Sequence, residues 1–180
     1  SIDQVLSVPR AAQLAPGNGG GIVALDRDYH GLSLRFRQRS EWSWADAEFN
    51  AEWRDERLDE DRRGYENFVG DQLGVRGALR RDESNRGDAR DAMLRIDVDP
   101  DEAWRLSAGV RRSVAAFDSD DHYIAPGNPD DSGSYDADAW LPVVGASYRF
   151  EAPWIAHFAL GRTQELPTLA ELAYREDGDG

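Results

Sequence analysis

From Ala45 to Arg54 the odd positions Ala45, Ala47, Phe49, Ala51 and Trp53 are apolar, and the even positions Asp46, Glu48, Asn50, Glu52 and Arg54 are polar. Successive side chains point to opposite faces of a strand, so this pattern builds a strand with one apolar and one polar face. A helix would need apolar residues three and four apart, a stripe that here would have to absorb Glu48, Glu52 and Asp55. Upstream, Leu32, Leu34 and Phe36 alternate with Ser33, Arg35 and Arg37, and the short step through Arg39, Ser40 and Glu41 predicts a hairpin. The arrangement returns twice. Ala92, Leu94, Ile96 and Val98 lead through Asp99-Pro100-Asp101-Glu102, with proline at a favourable turn position, into Trp104, Leu106, Ala108 and Val110. Val144, Ala146, Tyr148 and Phe150 lead through Glu151-Ala152-Pro153 into Trp154, Ala156, Phe158 and Leu160. Three hairpins with short turns are expected.

Between the hairpins, Asp55 to Asp91 and Asp118 to Ala139 are charged, contain Gly or Pro, and lack sustained alternation, which predicts long loops. Short turns alternating with long loops are the signature of an outer-membrane barrel, with tight periplasmic turns and longer extracellular loops. Trp44, Trp104 and Trp154 each fall where a strand begins after a short turn, at one height in such a wall, where an aromatic girdle belongs. The opposite face is dense in Arg, Glu and Asp, as a wet lumen requires. The expected fold is therefore all-β, an antiparallel transmembrane β-barrel with long extracellular loops. The same alternation also suits a soluble antiparallel sandwich or barrel acting as a binding module. That alternative would fold as a monomer without detergent.

Composition narrows the function classes. The chain has 180 residues, enough for one domain, and no run approaching the roughly 20 apolar residues of a membrane-spanning helix. Six each of Trp, Tyr and Phe, with recurrent alternation, exclude a disordered chain. A net charge of -14 would repel a phosphate backbone, so nucleic acid is excluded as partner. All 21 basic residues are arginine, a side chain suited to bidentate carboxylate recognition. With no cysteine, disulfides, thiolate metal sites and cysteine nucleophiles drop out. The opening Ser1-Ile2-Asp3-Gln4 and the closing turn residues Glu176-Asp177-Gly178-Asp179-Gly180 are expected of a piece of a longer chain.

Gly161-Arg162, followed after a short step by Pro167-Thr168-Leu169-Ala170-Glu171-Leu172, resembles a barrel motif of TonB-dependent receptors. Those receptors usually carry Gly-Phe-Arg or Gly-Phe-Glu within the step, where this chain has Thr163-Gln164-Glu165. Ile22 to Tyr29, Arg63 to Phe68, Leu79 to Glu83, Phe117 to Tyr123 and Pro126 to Gly133 resemble, in order, landmarks of the subgroup associated with pyrroloquinoline quinone uptake. The resemblance implies a 22-stranded barrel filled by a plug. Residues 1–180 would be a partial barrel domain of about six to seven strands, with the plug domain absent. It also implies a place in the Gram-negative outer membrane, in contact with its lipid. The implied function is import of a scarce nutrient, pyrroloquinoline quinone or a ferric siderophore, energised by the TonB complex acting through the missing plug.

Arg62, Arg63, Arg80 and Arg81 are candidates to attract an anionic ligand at the mouth, with Tyr65, His122 and Tyr123 beside it. Loop arginines more commonly pair with neighbouring Asp and Glu, which abound here. Asp118, Asp120, Asp121, Asp130 and Asp131 lack the ordered ligand pattern of an EF-hand and read as a solvated acidic loop. His30 and His157 read as structural. No metal or cofactor is expected. The chain has no Gly-x-Ser-x-Gly elbow, phosphate-binding glycine loop or His-Glu-x-x-His helix, so no enzyme activity is expected either.

Overall fold

The computed structural model describes residues 1–151 and 153–164. In chain order its elements are β1 (Ile2–Val5), α1 (Arg10–Gln13), β2 (Ile22–Trp42), β3 (Ala45–Tyr65), β4 (Phe68–Val69), β5 (Gln72–Leu73), β6 (Leu79–Asp99), β7 (Trp104–Asp121), β8 (Gly133–Arg149) and β9 (Ile155–Gly161). One antiparallel sheet has the order β1-β2-β3-β6-β7-β8-β9, and β4 and β5 form a separate hairpin. The described residues divide into two compact units, one of Ser1–His30, Arg57–Asp88 and Ala116–Asp136, the other of Gly31–Glu56, Ala89–Ala115 and the described residues from Ala137 onward.

The second unit holds the three expected hairpins. Arg149 N–H donates to Ala103 C=O (2.8 Å), which sets Trp104 opposite Tyr148 and Arg112 opposite Trp140. The rings agree, with Trp104 and Tyr148 centroids 4.7 Å apart and the Arg112 guanidinium 5.6 Å from the Trp140 ring centre. In β8 and β9, Val144 stands opposite Leu160 and Ala146 opposite Phe158. These registers put every apolar set from the sequence on one face. That face is open: Leu34 is 58 % exposed, Phe158 62 % and Leu160 66 %. The described residues of this unit supply no second layer, as a sandwich would.

The other face carries a ladder of ion pairs and hydrogen bonds. Arg39 Nε donates to Glu48 Oε2 (2.7 Å), Arg37 Nε to Asn50 Oδ1 (3.1 Å), and Arg35 Nε lies 3.3 Å from Glu52 Oε2. Arg111 pairs with Asp91 (2.6 Å) and Arg105 with Asp99 (2.7 Å). Exposed pairs of this kind each contribute only about 0–1 kcal/mol, so the ladder chiefly selects register. The first hairpin turns later than expected. β2 runs on through Arg39 and Glu41 to Trp42, and the turn is Ser43-Trp44.

In the first unit the expected long loops are mostly strand. β3 continues to Tyr65 and β6 begins at Leu79, leaving only 66–78 between them. β7 likewise reaches Asp121 and β8 starts at Gly133. Here both strand faces are polar, so the alternation that marks a half-apolar strand vanishes while the backbone ladder persists. Side chains tie these segments together: Arg27 Nε donates to Glu60 Oε2 (2.7 Å), Asn85 Nδ2 to Glu60 Oε1 (3.2 Å), and Arg63 Nε to Asp82 Oδ1 (3.0 Å). Glu60 is only 5 % exposed, and its two oxygens are shared between those two partners.

Residues 6–21 pack on this unit through amides and glycines. Gln13, fully buried, donates from Nε2 to Asn67 Oδ1 (2.8 Å) and accepts from Asn67 N–H (2.9 Å). A Cβ on Gly64 would sit 2.0 Å from Gly19 C=O, and one on Gly20 2.3 Å from Tyr65 C=O; Gly20 also has a positive φ of 88°. Only glycine permits that approach.

Two outcomes follow. Glu60→Ala strands the half-exposed Arg27 and the buried Asn85, and is expected to lower unfolding stability by about 1–3 kcal/mol, checked by urea titration in detergent. Gly64→Ala forces residues 13–21 away from β3, expected as faster hydrogen exchange across 6–21 with no change in 31–56.

Candidate functional site

The sequence-derived ligand residues all fall in the first unit, and the structure separates them by face. Arg62 lies on the same face of β3 as Glu60, and Arg63 on the opposite one. Arg63 is committed to Asp82, whose carboxylate holds the guanidinium pKa above its ordinary value. Arg80 donates from Nη2 to Ala15 C=O (2.7 Å) and stands 4.0 Å from Glu66. Arg81 pairs with Glu83 (2.9 Å). Tyr65 carries the Arg76 guanidinium on its ring (4.6 Å), and that guanidinium also binds Asp3 (2.7 Å).

Arg62 differs. The pairing that joins Glu60 to Asn85 and Arg63 to Asp82 places Arg62 opposite Glu83, which Arg81 occupies. Its Nε is buried and has no hydrogen-bond partner among the described residues; Arg80 Nε is in the same position, but Arg80 is anchored through Nη2 to Ala15 C=O.

His122 N–H donates to Asp82 C=O (2.8 Å), and its Nε2 lies 3.2 Å from Ser84 Oγ, which donates to Asp61 Oδ1 (3.0 Å). The hydroxyl sits between histidine and carboxylate, so the imidazole is not oriented by an acid as in a nucleophilic triad. Tyr123 N–H and Asp131 N–H both point to the Asp121 carboxylate (2.9 and 3.5 Å), and Tyr123 C=O accepts from Asn128 Nδ2 (2.7 Å). Asp130 accepts from Ser132 N–H (2.9 Å), and the Ser132 hydroxyl and backbone N–H hold its pKa below the usual carboxylate range. The acidic loop is thus braced by its own turns, and no group of three or more His, Asp or Glu with metal-binding geometry occurs among the described residues.

The second unit supplies the other functional surface. Trp42 and Trp44 (centroids 5.3 Å apart), Trp104 and Tyr148 (4.7 Å), and Tyr148 and Phe150 (4.7 Å) cluster at the short-turn ends of the strands. Trp154 precedes β9 at the same hairpin end. Beyond the row of Trp44, Trp104 and Trp154 that the sequence predicts, Trp53 and Trp140 form a second aromatic row on the same apolar face. Their signal was parity: both stand at apolar positions of their strands. From Trp104 to Arg112, which faces Trp140, the strand runs about 27 Å at roughly 3.4 Å per residue, which at a barrel tilt of about 35–45° is roughly 19–22 Å of height. An outer-membrane barrel presents an apolar band about 25 Å tall between aromatic girdles. At and just beyond the upper aromatics the same face turns to paired charges, Arg112 with Asp138 (2.9 Å) and Arg90 with Asp55 (2.8 Å).

Of the C-terminal motif, Gly161 closes β9 opposite Val143, and Arg162 N–H donates to Pro142 C=O (3.0 Å). Pro167, Thr168, Leu169, Glu171 and Leu172 lie outside the described residues.

Comparison with known proteins agrees with this geometry. Residues 7–179 match the family model described as TonB dependent receptor-like, beta-barrel. Among solved structures, the chain is similar to the ferric citrate transporter FecA in its unliganded form, with a TM-score of 0.63 and 16 % identity over 77 % of this chain. The match spans 21 % of that transporter's chain. The chain accordingly belongs to the TonB-dependent receptors, a family of non-catalytic transport proteins, and forms part of their antiparallel β-barrel domain.

Proposed function

We propose that the chain is a section of wall and mouth in an outer-membrane receptor that imports a scarce nutrient, either pyrroloquinoline quinone or a ferric siderophore. The observation that carries this reading is the apolar band between two aromatic rows, backed by a polar face, in a chain matching the family model over 7–179. In that setting the open apolar face meets lipid, and the arginine ladder faces a wet interior. Among the described residues, β1 covers only Ile22–Leu25 of β2, which leaves the rest of that strand's outer edge to further strands. A 22-stranded barrel around a plug would satisfy it, residues 1–180 being a partial domain without the plug. The TonB complex would then act through the plug, and the wall would stay rigid while the plug moves.

Pyrroloquinoline quinone is anionic, as are carboxylate and catecholate ferric chelates; Arg62 offers a buried donor without a partner, whereas Arg80, whose Nε is likewise unmet, is anchored to Ala15 C=O. Arg63, Arg80 and Arg81 shape the charge around it while held by their own acceptors, and Tyr65, His122 and Tyr123 lie in the same unit. Binding to the purified full-length receptor tests this, measured by calorimetry with pyrroloquinoline quinone and with ferric citrate. Arg62→Ala is expected to weaken the bound ligand about tenfold or more, the size of one charge-assisted hydrogen bond. Arg63→Ala should change affinity little. Absence of binding for any anionic chelate or quinone would overturn the import reading.

A further inference from the structure

The apolar face is not uniform. Between the upper aromatics it is hollowed into a groove with Ala51 and Ala92 along its floor, Phe36 and Trp53 on one side, and Leu94 and Trp140 on the other. Alanines flanked by indoles leave a furrow where the neighbouring strands carry bulk. Arg112 also lines this groove, standing over Trp140 and engaging Asp138 through Nε (3.2 Å) and Nη2 (2.9 Å). On β6, Arg90 points from the same face and engages Asp55 through Nε alone (2.8 Å).

His122 N–H to Asp82 C=O fixes β6 against β7 so that Arg112 faces Ala92, with Arg90 one diagonal step away. Each guanidinium has five N–H donors. The aspartates occupy two on Arg112 and one on Arg90, so donors remain on both for a further anion. An Arg fork held in place by one carboxylate is pre-oriented for a second oxyanion.

We propose that this groove is a specific site for a phosphate-bearing membrane lipid, with one acyl chain lying along Ala51 and Ala92 and the phosphate received by Arg112 and Arg90. The site rests on the reading that this face meets lipid. Its chemistry is amphipathic in the required order: an apolar channel within the band, indole edges at the interface, and guanidinium donors where the band ends. A lipid lacking phosphate fills the groove without using the arginines. Trp53 and Trp140 would be the side chains first to register its arrival.

The test uses tryptophan fluorescence of the full-length receptor in phosphatidylcholine vesicles. The probes, each titrated separately upward from low mole fraction, are dibrominated phosphatidic acid and dibrominated phosphatidylcholine, whose bromines quench nearby indoles. The site predicts that phosphatidic acid quenches at a mole fraction roughly fivefold or more below phosphatidylcholine, the scale of one arginine near an anionic headgroup. Arg112→Ala combined with Arg90→Ala should bring the two lipids to equal quenching while leaving quenching itself intact. Equal quenching in the unaltered receptor, or a preference that survives the double substitution, overturns the site alone. No quenching by either lipid overturns the membrane-facing reading together with the site.

Discussion

Hydrocarbon offers a backbone no hydrogen bonds, so a wall inside it must pair every N–H and C=O across strands and commit each strand's faces without error. The rest of this structure depends on that pairing. A slip of one residue would turn Phe49 and Trp53 to the polar side and bring Glu48 and Glu52 to the lipid side. The arginine ladder resists such a slip. Arg35, Arg37 and Arg39 meet Glu52, Asn50 and Glu48 in a single register, and a shifted strand would place those charges among Leu and Phe. Its value lies in the alternatives it penalises more than in the stability it adds.

The half of the fold that was legible in the sequence is the half with chemically distinct faces. Ala45 to Trp53, Ala92 to Val98 and Trp104 to Val110 announced themselves because apolar and polar residues alternate there. Asp55–Tyr65 and Leu79–Asp91 are strands of the same sheet, yet their outward and inward side chains are both charged, so period-two hydropathy carries no signal. What would have exposed them is pairwise: opposite charges meeting across strands, as Arg63 meets Asp82 and Arg27 meets Glu60. The late first turn has the same origin, because Arg39 and Glu41 look like loop residues until Glu48 is known to stand beside Arg39.

The candidate ligand set was legible only as a composition of cations and rings near the mouth. Strand parity, available in principle, divides Arg62 from Arg63; neighbours such as Glu83 and Ala15 decide which cations are already engaged, and those are three-dimensional facts. The lipid-side arginines were invisible for a related reason. Arg90 and Arg112 lie well apart in sequence and become one feature only when β6 and β7 are zipped together.

The amide pair between Gln13 and Asn67 has a character unlike its surroundings. Most other long-range side-chain ties described in this chain join a cation to a carboxylate, and such ties weaken when acid protonates the carboxylate or salt screens the charge. An amide neither titrates nor is screened. The amino-terminal segment is thereby fastened by a clasp indifferent to the brine and acidity that an exposed surface meets, so weather that slackens the ion-paired strands leaves this flap shut.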